Sequence, residues 1–232
     1  MWIFHINHVY ERKMKYPEDF INKIICGDCL EVMREMPDKC VDLVLTDPPY
    51  NVKKDYGTYK DKLSLKKYLE LIKQLTTEFK RISNNRMVII LGSKSEILRT
   101  WWNNIPDAKL IIVKMGATSN NKIKNLGLQY HTVLTTVKSN KWMPDLWEDI
   151  RWPGEGYFFN EPRYGHPAMT PLKLTRRGLI LFSQEKNIIV DPFVGCGTTA
   201  RAAKDVGCDF IGIEINPEYC KIAEDRLRQR VL

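Results

Sequence analysis

A carboxylate, two prolines and an aromatic ring stand in a row at Asp47-Pro48-Pro49-Tyr50. The apolar segment 41–45 before them reads as a buried strand, and two consecutive prolines force the chain to turn. The exocyclic amine of a nucleic-acid base is a poor nucleophile because its lone pair is delocalised into the ring. The Asp47 carboxylate and the Pro48 carbonyl can accept its hydrogens, and Tyr50 can stack on an extruded base. These four residues are therefore candidate catalytic residues for methylation of a base amine; a stiff structural turn is the alternative.

A glycine loop at 191–199 has the features of a nucleoside-binding loop. It follows an apolar strand and opens a helix, where glycines let the backbone approach a ligand. Glu214 ends the next strand, 23 residues after Asp191, and an acidic side chain there typically binds ribose hydroxyls. A dinucleotide fingerprint would have a third glycine near Arg201, and the chain reads Thr-Thr-Ala-Arg instead. The loop therefore favours a nucleoside with a small charged tail; in the alternative, Glu214 only caps the helix that starts near Pro217.

Alternating short strands and helices must position these two loops. Apolar runs predict strands at 23–26, 41–45, 87–91, 110–113, 132–137, 187–190 and 210–213. Helical spacing predicts helices at 29–36, 64–82, 95–102, 171–183, 198–206 and 217–229. This alternation is typical of an α/β fold with a mostly parallel sheet covered on both faces, in which both loops lie at the carboxyl edge. The irregular segment from about 116 to 164 reads as an insertion at one edge of the sheet.

Length and composition indicate a single intracellular domain, 1–232. No run approaches the ~18 apolar residues of a membrane helix, and the first 20 residues lack the features of a signal peptide. We therefore expect a cytoplasmic protein with no membrane partner. The six cysteines are expected to be reduced thiols. Cys26-Gly-Asp-Cys29 has the spacing of a zinc or redox pair, but no second pair occurs at that spacing, so no metal is predicted.

The formal net charge of +8 is compatible with a polyanionic partner. Between 113 and 143 there are five lysines and no acidic residue, and 53–67 carries six lysines against two aspartates. Solvated surface loops are the alternative explanation for such runs. The candidate residues for contacts with such a polyanion, for example the backbone of a nucleic acid, are Lys122, Lys124, Lys138 and Lys141.

Together, Asp-Pro-Pro-Tyr and Asp-Pro-Phe-x-Gly-x-Gly-Thr-Thr resemble the motifs of the amino-methyltransferase family that modifies DNA adenine at N6 or cytosine at N4. The catalytic motif precedes the cofactor motif, as in the β arrangement of that family. The resemblance covers nearly the whole chain. It implies a Rossmann-like methyltransferase domain, S-adenosylmethionine as cofactor, and double-stranded DNA as substrate.

The resemblance also implies roles for individual residues. Asp28, after the first strand, would contact the cofactor adenine. The segment 166–171 resembles the family's His-Pro-Thr-Gln-Lys-Pro, from which Ala168 and Thr170 depart, and Cys196 stands where the family commonly has serine. The expected cofactor-binding residues are Asp28, His166, Asp191, Phe193, Gly195, Cys196, Gly197, Thr198 and Glu214.

The segment from 116 to 164 would recognise the target sequence. Asp145-Leu-Trp147 resembles an Asp-Val-Trp element of the family just upstream of the 166–171 motif. Lysines and asparagines in this segment suit phosphate contacts and groove-edge hydrogen bonds. Trp142, Trp147 and Trp152 would stack on bases or, more commonly for tryptophan, pack the insertion onto the core.

Several alternatives remain open at this point. Enzymes of the adenine type more often begin the catalytic motif with Asp and cytosine enzymes with Ser, so Asp47 favours adenine over cytosine N4. Cytosine C5 methylation needs a Pro-Cys pair, which the chain lacks. RNA or protein-glutamine methylation, a nicotinamide-dependent oxidoreductase and a non-catalytic DNA-binding module are less favoured. A restriction endonuclease partner and the oligomeric state are not fixed by the sequence.

Overall fold

A central eight-stranded sheet organises the chain. The computed structural model describes residues 14–55, 57, 61–92, 95–114, 130–139, 141, 144–148, 150, 164–165 and 168–229. The strands are β1 (Lys23–Cys26), β2 (Leu43–Thr46), β3 (Met87–Leu91), β4 (Lys109–Lys114), β5 (Tyr130–Thr135), β6 (Leu146–Trp147), β7 (Ile188–Asp191) and β8 (Asp209–Glu214). The helices are α1 (Cys29–Glu35), α2 (Leu65–Ser83), α3 (Ser95–Asn104), α4 (Leu172–Phe182), α5 (Thr198–Asp205) and α6 (Pro217–Arg228). The predicted α/β class is confirmed.

The strand order is β1-β8-β7-β2-β3-β5-β4-β6. β5 runs antiparallel to both of its neighbours, whereas the other pairs are parallel. Going along the chain, β2 leads to β3 on one side and β7 leads to β8 on the other, so the topology switches direction between β2 and β7. Ligands of open α/β sheets bind at the carboxyl ends of the strands beside such a switch point. The two loops that follow β2 and β7 are therefore neighbours in space.

Apolar side chains cover both faces of the sheet. β2 and β3 are buried along their whole length, which explains why their sequences are continuous apolar runs rather than alternating ones. Helix α2 packs a buried stripe against one face, and its side chains at helical spacing are Tyr68, Ile72, Leu75, Phe79 and Ile82. Helices α4 and α5 pack on the opposite face, with Leu174, Leu179 and Ala203 in that core.

The middle of the chain departs from the predicted arrangement. Strand β5 falls within the segment expected to be an edge insertion, yet it lies inside the sheet between β3 and β4. It also starts two residues before the predicted strand, because the polar Tyr130 and His131 continue the ladder opposite β4. The two-residue β6, which pairs with β4, is too short to show any periodicity. Within the described ranges, no helix is long and apolar enough to cross a membrane.

Candidate active site

The loops after β2 and β7 line one cavity at the carboxyl edge of the sheet. Its volume is about 420 Å³, within the range of roughly 300–1,000 Å³ that is usual for small-molecule sites. The structure brings together in its wall the predicted residues Asp28, Asp47, Pro48, Pro49, Tyr50, Asp191, Phe193, Gly195, Cys196, Thr198 and Glu214. Strand order, and not sequence proximity, assembles this set.

Hydroxyl groups hold the Asp47 carboxylate from two sides. Tyr50 Oη donates to Asp47 Oδ1, and Thr170 Oγ1 donates to Oδ2 over 2.6 Å. Burial raises the pKa of Asp47 to about 6, while the hydrogen bonds from Thr170 and Tyr50 oppose that shift. The carboxyl group is therefore charged, and a hydrogen-bond acceptor, at neutral pH.

The Tyr50 ring packs against the start of the loop after β3. A Cβ on Gly92 would lie 3.2 Å from two ring carbons of Tyr50, so any larger residue would require the ring to shift. The hydroxyl of Tyr68, on α2, donates to the carbonyl of Pro49 over 3.2 Å. The Asp-Pro-Pro-Tyr turn is thus fixed by contacts with both neighbouring elements.

A buried carboxylate organises the chain directly after the turn. Asp61 is only 1% exposed, and its carboxylate accepts the backbone N–H groups of Asn51 at 2.7 Å and Val52 at 2.8 Å. The Asn51 side chain in turn exchanges hydrogen bonds with the backbone of Leu63, at 2.6 and 3.0 Å. Asp61 is one of the two aspartates in the lysine-rich stretch 53–67. Its role could not be read from that composition, because it depends on a loop folding back on itself.

Asp191 joins the two loops to each other. Its Oδ1 accepts Thr46 Oγ1 at 2.7 Å and the backbone N–H of Phe193 at 3.0 Å. Burial raises the pKa of Asp191, and hydrogen bonds from Thr199, Thr46 and Phe193 oppose the shift. Much of this carboxylate's bonding capacity therefore serves to fix the loop.

Two glycines adopt the left-handed conformation that the glycine loop requires. Gly195 has φ 52° and Gly197 has φ 84°. A Cβ on Gly197 would lie 2.9 Å from Cβ of Ala223, on α6. Gly197 is the N-cap of α5 and is not among the residues that line the cavity. The structure thus gives Gly197 a role in close packing of α6 beneath the loop.

Glu214 faces the glycine loop from the end of β8. Its Oε2 accepts the N–H of Gly195 at 3.1 Å, and its Oε1 accepts the N–H of Asn216 at 2.8 Å. Helix α6 is capped by Asn216, whose Oδ1 accepts the N–H of Glu218 at 3.0 Å. The capping alternative for Glu214 is therefore wrong. Its carboxylate keeps further acceptor positions for hydroxyl donors such as those of a ribose.

Comparison with known proteins identifies the family. The model of the family N6_N4_Mtase, described as DNA methylase, matches residues 41–225. This chain belongs to that family. A type II methyltransferase of Haemophilus parainfluenzae, M.HpaI, is 27% identical over 88% of this chain and 74% of its own length. The DNA adenine methyltransferase YhdJ of Escherichia coli is 25% identical, over 88% of this chain and 82% of its own.

A solved structure in the comparison is that of the PvuII DNA methyltransferase, named as cytosine-N4-specific. It superimposes with a TM-score of 0.70 and 17% identity, covering 92% of this chain and 90% of that chain. At this identity the likeness concerns the fold alone. The resemblance drawn from the two sequence motifs is confirmed, and the chain is a DNA methylase of the N6/N4 type.

Thr46, Thr170 and Arg226 are further residues beside the cavity that the sequence missed or left without a role. The hydroxyl of Thr46 donates to Asp191, and the hydroxyl of Thr170 donates to Asp47. Arg226 is 4% exposed, and its Nη1 donates to Thr198 Oγ1 over 2.9 Å behind the glycine loop. The departure at Thr170 from the family motif was visible in the sequence. Its partner was not, because the contact spans 123 residues.

The predicted DNA-binding lysines divide into two groups. Lys138 and Lys141 lie beyond the end of β5, which runs toward the amino edge because β5 is antiparallel. They line a surface pocket there with Arg86, so they are not brought to the cavity. The second group, Lys122 and Lys124, lies outside the described residues. The same holds for His166, Trp142 and Trp152, and the roles predicted for all five stay predictions.

Asp28 and Trp147 have identifiable structural roles. The Asp28 carboxylate caps α1 by accepting the N–H of Leu30 at 2.9 Å, while the residue also lines the cavity. Trp147 is 2% exposed, and its indole N–H donates to the carbonyl of Pro144 over 3.0 Å. This tryptophan therefore packs into the core, which is the commoner of the two uses predicted for it.

Among the described residues there is no group of three metal-ligating side chains, and each cysteine is a free thiol.

Proposed function

We propose that this DNA methylase transfers a methyl group to the exocyclic N6 amino group of adenine in double-stranded DNA. The observation that carries the proposal is the Asp47 carboxylate, held by two hydroxyl donors in the wall of the cavity that the glycine loop also lines. A carboxylate accepts hydrogen bonds strongly, which suits it to draw on the hydrogens of an amine. Asp in this motif position favours adenine.

The methyl donor is S-adenosylmethionine, which when bound would supply an electrophilic methyl group, the electron pair of the broken carbon–sulfur bond staying on sulfur. The side chains that line the cavity fit this molecule. Glu214 presents acceptor oxygens to ribose hydroxyls, and Phe193 presents an aromatic side chain at the cavity wall. The left-handed Gly195 lets the backbone come close to the ligand.

Asp47, Pro48 and Tyr50 have complementary tasks in the proposed reaction. Asp47 and the Pro48 carbonyl accept the hydrogens of the amine, so that the nitrogen lone pair points toward the methyl group. Tyr50 stacks on the base after it leaves the duplex. When the nitrogen has gained the methyl group it is cationic and loses one proton. Asp47 stands where it can accept that proton and release it to water, since its pKa is about 6.

Cytosine N4 is the alternative target of the same chemistry. The PvuII enzyme, named as cytosine-N4-specific, has the same fold, so the fold is compatible with this target. Both bases present an exocyclic amine on a planar ring, and the turn at Asp47 suits either. The relative YhdJ, by its name an adenine enzyme, supports the first choice.

The experiment that tests the proposal identifies the methylated base. Purified protein, Asp47→Ala and the surface control Asp107→Asn are incubated with unmethylated duplex DNA and methyl-labelled S-adenosylmethionine, and the DNA is digested to nucleosides for mass spectrometry. We expect label in N6-methyladenine from the wild type and the control only. Label in N4-methylcytosine would move the target to cytosine. Absence of label in DNA, with S-adenosylmethionine bound, would refute the DNA substrate and direct the search to RNA or protein.

A further inference from the structure

The Asp47 carboxylate is held by two residues of different origin. Tyr50 belongs to the same turn, three positions along the chain. Thr170 comes from the segment before α4, and its hydroxyl donates to Asp47 Oδ2 over 2.6 Å. The χ2 torsion of aspartate has only broad energy minima. The hydrogen-bond donors around the carboxylate therefore determine the orientation of its plane. Thr170 is the donor that does not move with the catalytic turn.

The backbone at Thr170 is itself well fixed. Pro171 follows it as the N-cap of α4, with φ −60°, and its carbonyl accepts the N–H groups of Leu174 and Thr175 at 3.1 and 3.2 Å. Helix α4 lies close against β2, because a Cβ on Gly178 would be 3.1 Å from Leu45 Cδ1. The strand that ends beside Asp47 and the helix that starts beside Thr170 are therefore packed directly against each other.

We propose that Thr170 is a positioning residue for methyl transfer, whose hydroxyl fixes the plane of the Asp47 carboxylate and keeps it a hydrogen-bond acceptor for the amine of the target base. The inference rests on the proposed role of Asp47 and adds a residue to it. Stacking of a base on Tyr50 places the second donor in contact with substrate, which leaves Thr170 as the donor supplied by the scaffold.

Electrostatics agree with this role. Burial raises the pKa of Asp47 to about 6, and the hydrogen bond from Thr170 comes first among the influences that lower it. Other groups that act on Asp47 are Tyr50, Asp191 from β7 and Lys54 after the turn. His131, on β5, lines the same cavity, and burial lowers its pKa to about 4, so it is neutral where Asp47 titrates. Loss of the Thr170 donor should therefore leave Asp47 protonated up to a higher pH.

The test compares Thr170→Val, which removes the hydroxyl at nearly constant volume, with Thr170→Ser, which keeps it. Thr77→Val serves as the control, because Thr77 is an exposed residue on α2 whose hydroxyl donates to its own helix backbone at Lys73. We expect kcat of Thr170→Val to fall roughly 10- to 100-fold, the scale of a misplaced catalytic group. The dissociation constant for S-adenosylmethionine should stay within about 2-fold of the wild type, because Thr170 acts through Asp47. Thr170→Ser should retain kcat within about 3-fold.

The pH profile separates positioning from a merely structural role. The wild-type kcat should fall as pH drops through about 6, where Asp47 becomes protonated. In Thr170→Val this acid limb should move to higher pH, and in Thr170→Ser it should stay in place. An unchanged acid limb together with weaker S-adenosylmethionine binding would overturn the proposal and make Thr170 a cofactor contact.

A measurement without DNA keeps the inference separate from the proposed function. The Asp47 carboxyl is titrated in protein labelled with 13C at aspartate, with Asp47→Asn used to assign its signal. We expect a higher titration midpoint in Thr170→Val than in the wild type. Equal midpoints would refute the role of Thr170 even if the wild type methylates DNA. A raised midpoint in an enzyme that leaves DNA unlabelled would retain the Thr170–Asp47 link and refute only the substrate.

Discussion

The two edges of the central sheet carry opposite kinds of chemistry. At the carboxyl edge, carboxylates surround one cavity, and those of Asp47 and Glu214 accept hydrogen bonds from other elements. At the amino edge, Arg86, Lys138 and Lys141 line a surface pocket. The edges are separated by the length of a strand, roughly 17 Å for the five residues of β3.

The difference shows that residues close together in sequence need not lie on one surface. Strand β5 runs against its neighbours, so its first residues reach the carboxyl edge and the residues after it reach the amino edge. His131 therefore lines the cavity, whereas Lys138 lies at the opposite edge. The functional meaning of this basic segment depends on strand direction, which composition alone cannot provide.

The largest expected effect follows from changing Asp47 at the carboxyl edge. Asp47→Asn keeps the shape of the side chain but replaces one acceptor oxygen by a donor group. We expect kcat to fall about 10²- to 10³-fold, as for loss of one group that stabilises developing charge. Single-turnover methylation of duplex DNA measures this, with Asp107→Asn as the control. A decrease of less than about 5-fold would contradict the role of Asp47 as the acceptor.

Glu214→Gln should weaken the cofactor side of the same edge. The change removes the charge and one acceptor oxygen, and hydrogen bonds to charged groups are worth about 1.5–3 kcal/mol. The dissociation constant for S-adenosylmethionine should rise roughly 10- to 150-fold by titration calorimetry. Glu218→Gln, at an exposed position in the first turn of α6, is the matched control. If both variants bind equally well, the ribose contact assigned to Glu214 is wrong.

How much of this edge the sequence could predict depends on the range of each contact. Asp47 and Glu214 were predictable because a strand, a turn and a motif are local features. Thr46 and Thr170 were not, since their hydrogen bonds span 145 and 123 residues. The inner position of β5 could not be predicted either, because long-range packing determines which strands pair with it. The sequence thus identifies reactive side chains that belong to local motifs. The residues that orient those side chains are identified only when the fold is known.

Gly197→Ala tests whether the glycine loop is limited by space. The new Cβ would meet Ala223 Cβ at 2.9 Å, and φ is 84°. Gly165→Ala is the matched control, because φ is 73° there and nothing lies within 4 Å of its Cβ. Backbone strain is common to both, so Gly197→Ala should lose an additional ~1–3 kcal/mol of unfolding free energy from overpacking. Urea denaturation measures the difference. Equal losses would mean that α6 shifts without cost.

The smallest effect is expected at the amino edge. Lys138→Glu combined with Lys141→Glu should leave the affinity for duplex DNA within about 2-fold and its salt dependence unchanged, because these side chains lie away from the cavity. The matched double variant Lys122→Glu with Lys124→Glu is expected to bind less tightly. Its slope of log K against log salt should be shallower by up to about 1.8, the value for two lost phosphate contacts. Fluorescence anisotropy at several salt concentrations measures both.

A shallower slope for the Lys138 and Lys141 variant would contradict the expectation that the amino edge does not contact DNA. DNA would then have to extend around the sheet to the pocket beside Arg86, and the basic segment would act as one surface after all. An unchanged slope in both double variants would instead assign phosphate binding to other cations. A change confined to the Lys122 and Lys124 variant would agree with the phosphate contacts predicted for that pair and with no contribution from the pocket beside Arg86.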